Sequence, residues 1–291
     1  MQDVTFNEEP CVYGPLEGPP EYSHELLTFR DVNKQFGDKV VLRGLELHIC
    51  NIKNKPQIVC ICGNSGGGKT TANRLLAGLE QPTSGEVLVS GGTELRPVKA
   101  GDVGMVFQKY PVWIHKSVLE NIIDPGVKSG KSRKDAEAKA RELLKEVGLE
   151  DHSDSWPVDL SGGQQQRVAI AMQLMVDRYY MVFDEPFASL DPLAVDRMIK
   201  IIARVAYTHT RRTFVIATHN IASALVVADH IYLLGRERDS QGQVVPGSVG
   251  NRIVRSIDLI SEGLAYHPDI ERLPRFHELH DEIKYGEFPK L

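Results

Sequence analysis

The strongest candidate for chemistry is the stretch from Gly63 to Thr70, whose letters are GNSGGGKT. It matches the phosphate-loop pattern G-x-x-x-x-G-K-[ST]. Glycines let the backbone wrap tightly so that its N–H groups point at a phosphate, and a following helix adds its positive N-terminus. In this pattern Lys69 is expected to reach the β- and γ-phosphates, and the Thr70 hydroxyl is expected to bind Mg²⁺. The predicted nucleotide-binding residues here are Gly63, Asn64, Ser65, Gly66, Gly67, Gly68, Lys69, Thr70 and Thr71.

A second candidate is the pair of acids, Asp184 and Glu185, that follows the apolar run 180–183. A strand of a parallel sheet delivers the residues at its carboxyl end to the ligand crevice. There Asp184 can hold Mg²⁺ through water, and Glu185 can polarise the water that attacks a γ-phosphate. The alternative is an ordinary strand end with two solvated acids. A phosphate loop alone does not distinguish kinases, GTPases, motors and transport ATPases.

The third candidate is the segment 160–167, whose letters are LSGGQQQR. Ser161 and Gln164 form the S-x-x-Q pattern of a capping box, which opens a helix. Gly162 and Gly163 allow another group to approach the backbone closely. The pattern predicts a second helix N-terminus that can bind an anion. The plainer interpretation is a well-capped helix with no ligand.

Short apolar strands that alternate with amphipathic helices must position these groups. The predicted strands are 27–32, 40–49, 56–62, 86–89, 103–107, 179–183 and 213–218. One predicted helix follows the phosphate loop and carries Ala72, Leu75, Leu76 and Leu79 on one face. Another covers 132–148, with Ser132 as its N-cap and Gly148 as its terminator. The alternation predicts an α/β fold with a largely parallel sheet.

Composition limits the classes of function. The chain has 291 residues, 42% of them hydrophobic, and a net charge of −5, which is typical of a globular protein and argues against a nucleic-acid surface. No stretch approaches the roughly 20 apolar residues that span a bilayer, and the N-terminus does not resemble a secretory signal. Cys60 and Cys62 lack further metal ligands at the usual spacing and are predicted to be buried strand residues.

The motifs, in this order, resemble the ATP-binding cassette (ABC) nucleotide-binding domain over residues 26–234. The resemblance implies a P-loop NTPase fold of the α/β class: an ABC ATPase core with a mainly parallel sheet, an N-terminal antiparallel β subdomain and a helical subdomain near 109–175. It leaves 1–25 as an irregular extension and 235–291 as an extension of unknown role. ATP and Mg²⁺ are the implied ligands, and ATP hydrolysis is the implied activity.

The segment 160–167 resembles the family's signature sequence and is the signature segment of this chain. The resemblance also assigns roles to single residues. Ser161, Gly163 and Gln164 would contact ATP bound to a second subunit, which implies a head-to-tail dimer. Phe36 would stack on adenine, although a lone Phe is as readily a core residue. Gln108 would touch Mg²⁺ and the attacking water, and His219 would contact the γ-phosphate and Glu185. The resemblance therefore predicts Lys69, Gln108, Glu185 and His219 as catalytic residues, and Thr70, Gln108 and Asp184 as metal ligands.

One loop and two single residues are also notable within the resemblance. Residues 189–191 resemble the loop through which the two subunits communicate. Asn64 stands where relatives often have Pro, and Asn73 stands where a bulkier apolar residue is usual; Asn73 is expected to face solvent. Neither asparagine changes the expected chemistry.

The segment 109–122 resembles the groove that receives a helix of the membrane subunit in bacterial importers. Trp113 and Ile114 are candidates for docking, and the alternative is that they fill the core of the helical subdomain. The implied partners are transmembrane permease subunits, a second ATPase subunit and a solute-binding protein, at the inner face of the cell membrane. Phe187 and the motif set resemble importers of polar solutes such as amino acids or organic anions. The alternative is an ABC ATPase that acts on nucleic acid or ribosomes.

Overall fold

A computed structural model describes residues 20–92, 94–188, 190–239, 241, 243–267, 269–288 and 291. The strands are β1 (Tyr22–Phe36), β2 (Lys39–Ile52), β3 (Gln57–Cys62), β4 (Ser84–Ser90), β5 (Leu95–Pro97), β6 (Val103–Val106), β7 (Tyr180–Asp184), β8 (Thr213–Thr218), β9 (His230–Gly235) and β10 (Arg252–Asp258). The α-helices are α1 (Lys69–Leu76), α2 (Val118–Lys128), α3 (Arg133–Glu146), α4 (Gly162–Leu174), α5 (Pro192–Ala206), α6 (Ile221–Val227) and α7 (Pro274–Asp281). Short 3₁₀ turns occupy Glu150–His152, Pro157–Asp159 and Ile270–Arg272, and a π-helical turn occupies Glu282–Glu287.

The strands form two sheets. The larger has six strands in the order β10-β9-β3-β8-β7-β6, and its neighbours pair in parallel except for β10, which is antiparallel to β9. The smaller has four antiparallel strands in the order β2-β1-β4-β5. The predicted α/β class, mainly parallel sheet and N-terminal antiparallel sheet are confirmed.

The central strand β3 separates two hydrophobic cores. Ile58, Cys60 and Cys62 face the main core, which includes residues of the helices α2, α3 and α4. Val59 and Ile61 face the core between the two sheets. Every residue of β3 is buried, as expected for a parallel strand covered on both faces. Burial raises the pKa of the Cys62 thiol to about 12, so this thiol stays protonated at neutral pH. Among the described residues, no group of three or more His, Cys, Asp and Glu side chains could hold a metal.

The helix ends follow their capping residues. The Ser132 hydroxyl accepts the N–H of Asp135 at 3.1 Å, and Gly148 has a φ of +64° just beyond α3, so both predicted ends are confirmed. The expectation for Leu79 is wrong, because α1 ends at Leu76 and Leu79 is 50% exposed. Gly78, with a φ of +66°, turns the chain away before that residue. None of the helices in the described ranges is long and apolar enough to cross a bilayer.

The two predicted extensions differ from their expectation where the structure describes them. Irregular structure is expected up to residue 25, but β1 begins at Tyr22 and pairs with Ile52; residues 1–19 lie outside the described range. The boundary drawn at residue 234 falls within β9, which pairs with β10. Apolar side chains beyond it, including Leu264 and Leu279, belong to the main core. The sequence pattern is weak there because these residues lie in short, irregular elements.

A buried carboxyl group lies where this C-terminal part meets β3. Asp229 is 5% exposed, and its Oδ2 accepts the N–H of Ile58 at 2.7 Å. Burial raises the pKa of Asp229 to about 7, and the charge of Asp258 adds to the rise; the Ile58 bond, Tyr266 and the Lys55 charge act in the opposite direction. A carboxyl with a raised pKa stabilises the fold while it is protonated, and this contribution is lost as pH rises through the folded-state pKa.

Asp229→Asn should therefore remove part of the pH dependence of stability. Between pH 5 and pH 8 the wild-type free energy of unfolding should fall by on the order of 2 kcal/mol more than that of the variant, because Asn cannot ionise. Urea denaturation of both proteins at the two pH values measures this difference. The other titrating groups are common to both proteins and cancel. An equal change in the two proteins would show that Asp229 does not titrate in this range.

Candidate nucleotide-hydrolysis site

Four of the predicted site groups meet at one edge of the six-stranded sheet. The phosphate loop follows β3, His219 follows β8, Asp184 ends β7, and Gln108 lies just beyond β6. These strands are successive neighbours in the sheet, so their carboxyl ends deliver the four groups side by side. The phosphate loop, His219, Gln108 and Glu185, which follows Asp184, border a cavity of about 420 Å³. Its lining consists of Phe36, Lys39, Val41, Ser65, Gly66, Gly68, Lys69, Thr70, Thr71, Gln108, Glu185 and His219.

The phosphate loop depends on glycine at two positions. Gly66 and Gly68 have φ angles of +78° and +93°, a conformation that side-chain-bearing residues rarely adopt. A Cβ on Gly68 would also lie 2.9 Å from the Leu42 side chain, so β2 packs directly against the loop. Helix α1 begins at Lys69, and the amides of a first helical turn have no acceptor within the helix. The loop therefore offers backbone N–H groups and a helix N-terminus to an anion.

Lys69 is nearly buried and is held at the base of this loop. Its Nζ donates to the carbonyl oxygens of Gly63 and Asn64 at 2.8 and 3.0 Å. The same Nζ lies 3.1 Å from Oε1 of Glu185. The ammonium group is thereby fixed between the loop and the end of β7, where it can neutralise a phosphate.

Glu185 is fixed from its other side by His219. Its Oε2 lies 2.9 Å from Nδ1 of His219 and 3.3 Å from the backbone N of the same residue. Its own backbone N–H donates to the Ala217 carbonyl at 2.8 Å, and its φ of +50° is unusual for a residue with a side chain. Such strained residues cluster at functional sites, where the surrounding contacts hold them in place. The carboxylate can accept a proton from a water placed above the loop.

A candidate Mg²⁺ site lies beside this carboxylate. The Thr70 hydroxyl donates to Oδ1 of Asp184 at 3.0 Å, and Gln108 lines the same cavity. Burial raises the pKa of Asp184 and the neighbouring Glu185 charge adds to it, whereas the Thr70 bond lowers it. A hydroxyl, a carboxylate and an amide oxygen fit Mg²⁺, which takes one or two protein carboxylates and completes its shell with water and phosphate oxygens.

The opposite wall of the cavity comes from the antiparallel sheet. Phe36 is 47% exposed at the cavity mouth, so the alternative that it is a core residue is wrong. The Nζ of Lys34 lies 4.7 Å from the centre of its ring. Lys39 and Val41 of β2 continue this wall. An exposed aromatic face beside two lysines suits a purine that carries phosphates.

The signature segment lies elsewhere on the same chain. Ser161 caps α4 and forms the predicted capping box with Gln164, so this prediction is confirmed. The Gln164 side chain is engaged at both ends, by the Ser161 N–H at 2.8 Å and by Nε2 of His152 at 3.0 Å. A separate cavity, which does not include the phosphate loop, is lined by Ser161, Gly163, Gln164 and Leu190 among others. Ser189, in the predicted communication loop, lies outside the described residues.

The segment predicted to dock a membrane subunit is organised by one buried amide. Asn121, fully buried on α2, accepts the N–H of Trp113 at 2.7 Å and donates to the carbonyls of Trp113, Lys116 and Ser117. Trp113 is partly buried and packs against the main core, which agrees with the alternative interpretation that it fills a core rather than docks a partner. Ile114 is 66% exposed, so it is not a core residue. The segment presents Ile114 on a turn whose flanking residues, Trp113 and Lys116, are hydrogen-bonded to Asn121.

Both asparagines that depart from the family pattern have structural partners. The expectation that Asn73 faces solvent is wrong: it is fully buried, and its Nδ2 donates to the carbonyl of Phe183 at 3.1 Å. It thus ties α1 to the strand that carries Asp184. The Nδ2 of Asn64 donates to the carbonyl of Phe288 at 3.3 Å, which brings the C-terminal segment to the phosphate loop.

Comparison with known proteins identifies the family. The model of the ABC transporter family matches residues 50–188. The aliphatic sulfonates import ATP-binding protein of Rhodopseudomonas palustris strain BisA53 is 41% identical over 208 residues, which cover 72% of this chain and 70% of that protein. The L-cystine import ATP-binding protein of Bacillus subtilis strain 168 is 38% identical over 219 residues, which cover 72% and 86%. The chain belongs to the ABC transporter family.

Solved structures agree with this family. A subunit of an ABC transporter complex from Clostridium perfringens has the same fold, with a TM-score of 0.68 and 23% identity over 89% of this chain and all of that one. A dimeric ATP-binding cassette in a post-hydrolysis state with ADP and phosphate gives a TM-score of 0.63 and 26% identity over 80% of this chain and 99% of that one. These structures share the fold; the family match and the import ATP-binding relatives make the chain an ABC ATPase that binds ATP.

The sequence analysis missed three residues near the nucleotide-binding cavity. Lys39 and Val41 line the cavity, and only their position just after the candidate aromatic Phe36 could have indicated them. Tyr110, with a φ of +43°, lies two residues beyond Gln108. Burial, together with the Glu185 charge, raises the pKa of Tyr110 to about 12. No pattern in the sequence joins Tyr110 to Glu185.

Glu185→Gln should retain ATP binding and lose most hydrolysis. The amide keeps the shape of the side chain but cannot take a proton, and removal of a general base costs about 10²- to 10⁴-fold in rate. Phosphate release and equilibrium binding of ATP measure the two effects separately. Lys69→Ala is the control, because it should weaken ATP binding itself. A Glu185→Gln protein that hydrolyses ATP at the wild-type rate would remove Glu185 from this role.

Proposed function

We propose that this chain is the ATP-hydrolysing subunit of an ABC importer whose membrane-spanning parts are separate polypeptides. The observation that carries the proposal is the arrangement of Glu185, which is held between Lys69 and His219 above a phosphate loop. Import is supported by the names of the relatives, which include import proteins for sulfonates, cystine and Fe(3+) ions. An ABC ATPase that acts on nucleic acid or ribosomes is not favoured, because these relatives serve transport and the net charge is −5.

The residues divide the reaction between them. Phe36 holds the adenine, and the amides from Ser65 to Thr71 bind the phosphates, with Lys69 on the β- and γ-phosphates. Glu185 takes a proton from the attacking water, and His219 keeps the carboxylate oriented and contacts the γ-phosphate. Mg²⁺, held by Thr70, Asp184 and Gln108, supplies positive charge for the phosphate oxygens when it is bound.

The site is completed by a second subunit. Ser161 and Gly163 line a cavity apart from the phosphate loop of their own chain, at a capped helix N-terminus that can bind an anion. In a head-to-tail dimer these residues face the γ-phosphate of ATP on the partner subunit. ATP binding then closes the dimer, and hydrolysis opens it again.

The partners follow from this arrangement. The permease subunits dock on the segment that presents Ile114, and the ATPase lies at the inner face of the cell membrane. The transported solute is a polar molecule such as an amino acid or an organic anion, delivered by a solute-binding protein. Closure and opening of the ATPase dimer drive the membrane subunits between their states.

Ser161→Arg should prevent closure of the dimer. A long cationic side chain at this exposed helix start would occupy the space that the phosphate of the partner subunit needs. In the Glu185→Gln background with ATP and Mg²⁺, size-exclusion chromatography should show a dimer that Ser161→Arg abolishes.

The matched control is Ser132→Arg, which removes the N-cap of α3 in the same way but lies outside the proposed interface. This control should leave the dimer intact. A dimer that persists with Ser161→Arg would contradict the assignment of the signature segment to the partner's ATP.

A further inference from the structure

The C-terminal segment reaches the phosphate loop through one side chain that the family motifs do not include. The Nδ2 of Asn251 donates to the carbonyl oxygen of Gly67 at 2.7 Å. Gly67 sits in the middle of the loop, and its own N–H is turned back onto the Asn64 carbonyl at 3.0 Å. A Cβ on Gly67 would lie 2.9 Å from the Asn64 carbonyl oxygen, so the tight turn at this position requires glycine.

Asn251 is itself held by the strand that forms the other wall of the cavity. Its backbone N–H donates to the Val41 carbonyl at 2.9 Å, and its carbonyl accepts the N–H of Arg43 at 3.0 Å. Gly250, with a φ of +77°, brings the chain so close that a Cβ there would lie 2.9 Å from the Val40 side chain. The backbone of Asn251 is therefore fixed on β2, while its side chain reaches the loop.

The geometry of a peptide bond gives this contact a consequence for the ligand. The peptide between Gly67 and Gly68 is trans, and in a trans peptide the C=O and the N–H point in opposite directions. Gly68 lines the cavity, whereas Gly67 and Asn251 do not. The Gly67 oxygen is therefore bound by a side chain that lies outside the cavity lining. The N–H of Gly68 is thereby turned towards the place of the phosphates.

We propose that Asn251 is a positioning residue of the ATP site, which fixes the Gly67–Gly68 peptide so that its N–H binds the β-phosphate. The proposal rests on the function proposed above. Glycine-rich backbone is the most easily rotated kind, so a loop without this hydrogen bond would lose entropy when it orders around phosphate. Asn251 supplies that order before ATP arrives, and it links the phosphate side of the site to the strand that bears Val41.

The test separates phosphate recognition from general damage to the fold. Affinities for AMP, ADP and ATP are measured for wild type, Asn251→Ala and Asn251→Asp, by displacement of a fluorescent ATP analogue. Only ADP and ATP carry the β-phosphate. Asn251→Ala should weaken both by about 3- to 10-fold, the range of one lost hydrogen bond, and should leave AMP unchanged. Asn251→Asp should weaken them further, since a carboxylate would face the Gly67 oxygen.

Arg252→Ala is the matched control on the next residue. It removes an exposed ion pair with Glu237, 3.1 Å long, that does not touch the loop, and it should leave all three affinities unchanged. An unfolded fraction of the variant would reduce the binding of AMP and of ADP by the same factor. A loss of affinity for ADP and ATP but not for AMP therefore identifies the proposed role at the β-phosphate. Unchanged ADP affinity in Asn251→Ala, or an equal loss for AMP and ADP, would overturn the proposal. A wild-type protein that binds neither ADP nor ATP would instead refute the ATPase function itself.

Discussion

The carboxylate of Glu185 lies between two nitrogen atoms, Nζ of Lys69 at 3.1 Å and Nδ1 of His219 at 2.9 Å. These three side chains come from loops after three different strands, so the contact requires those strands to be neighbours. The order β3-β8-β7 in a parallel sheet meets this requirement, because it places the phosphate loop, His219 and Glu185 at one edge. Hydrophobic packing on both faces of that sheet keeps the strands in this order. It therefore also fixes the position of the Glu185 carboxylate.

The second constraint is that glycine-rich backbone must keep one shape around phosphate. Neighbouring parts of the chain supply the restraint. Leu42 packs on Gly68, Asn251 holds the Gly67 oxygen, and Asn64 contacts the carbonyl of Phe288. Two of these contacts, those of Asn251 and Phe288, come from the chain beyond residue 234. This part of the chain is held beside the loop because β10 pairs with β9 and because its apolar side chains pack on the main core. The C-terminal segment is thus part of the framework of the phosphate loop.

The sequence could predict what depends on local spacing. The phosphate loop, the capping box at Ser161 and the helix ends at Ser132 and Gly148 are fixed by residues within a few positions of one another. The parallel sheet followed from the alternation of strands and helices. The predicted role of each site residue stays a proposal, but the structure places Lys69, Gln108, Glu185 and His219 around one cavity.

Contacts between distant residues were beyond the reach of the sequence. The burial of Asn73 depends on a carbonyl 110 positions away in β7, and no periodicity signals it. The contact of Asn251 with Gly67 spans 184 positions. The apolar residues of the C-terminal segment are too widely spaced to predict that they join the main core. In each case the partner is defined by the completed sheet rather than by neighbours in sequence.

The most direct test of the central claim is to identify what this ATPase binds in its host. Tagged Glu185→Gln protein is incubated with ATP and Mg²⁺ in detergent-solubilised membranes, recovered, and examined by mass spectrometry beside the same protein with Ile114→Asp. We expect a multi-helix membrane protein in stoichiometric amount, and its loss with Ile114→Asp, because that side chain is exposed on the proposed docking segment. Recovery of soluble nucleic-acid or ribosome-associated proteins, with no membrane protein, would contradict the assignment to a transporter.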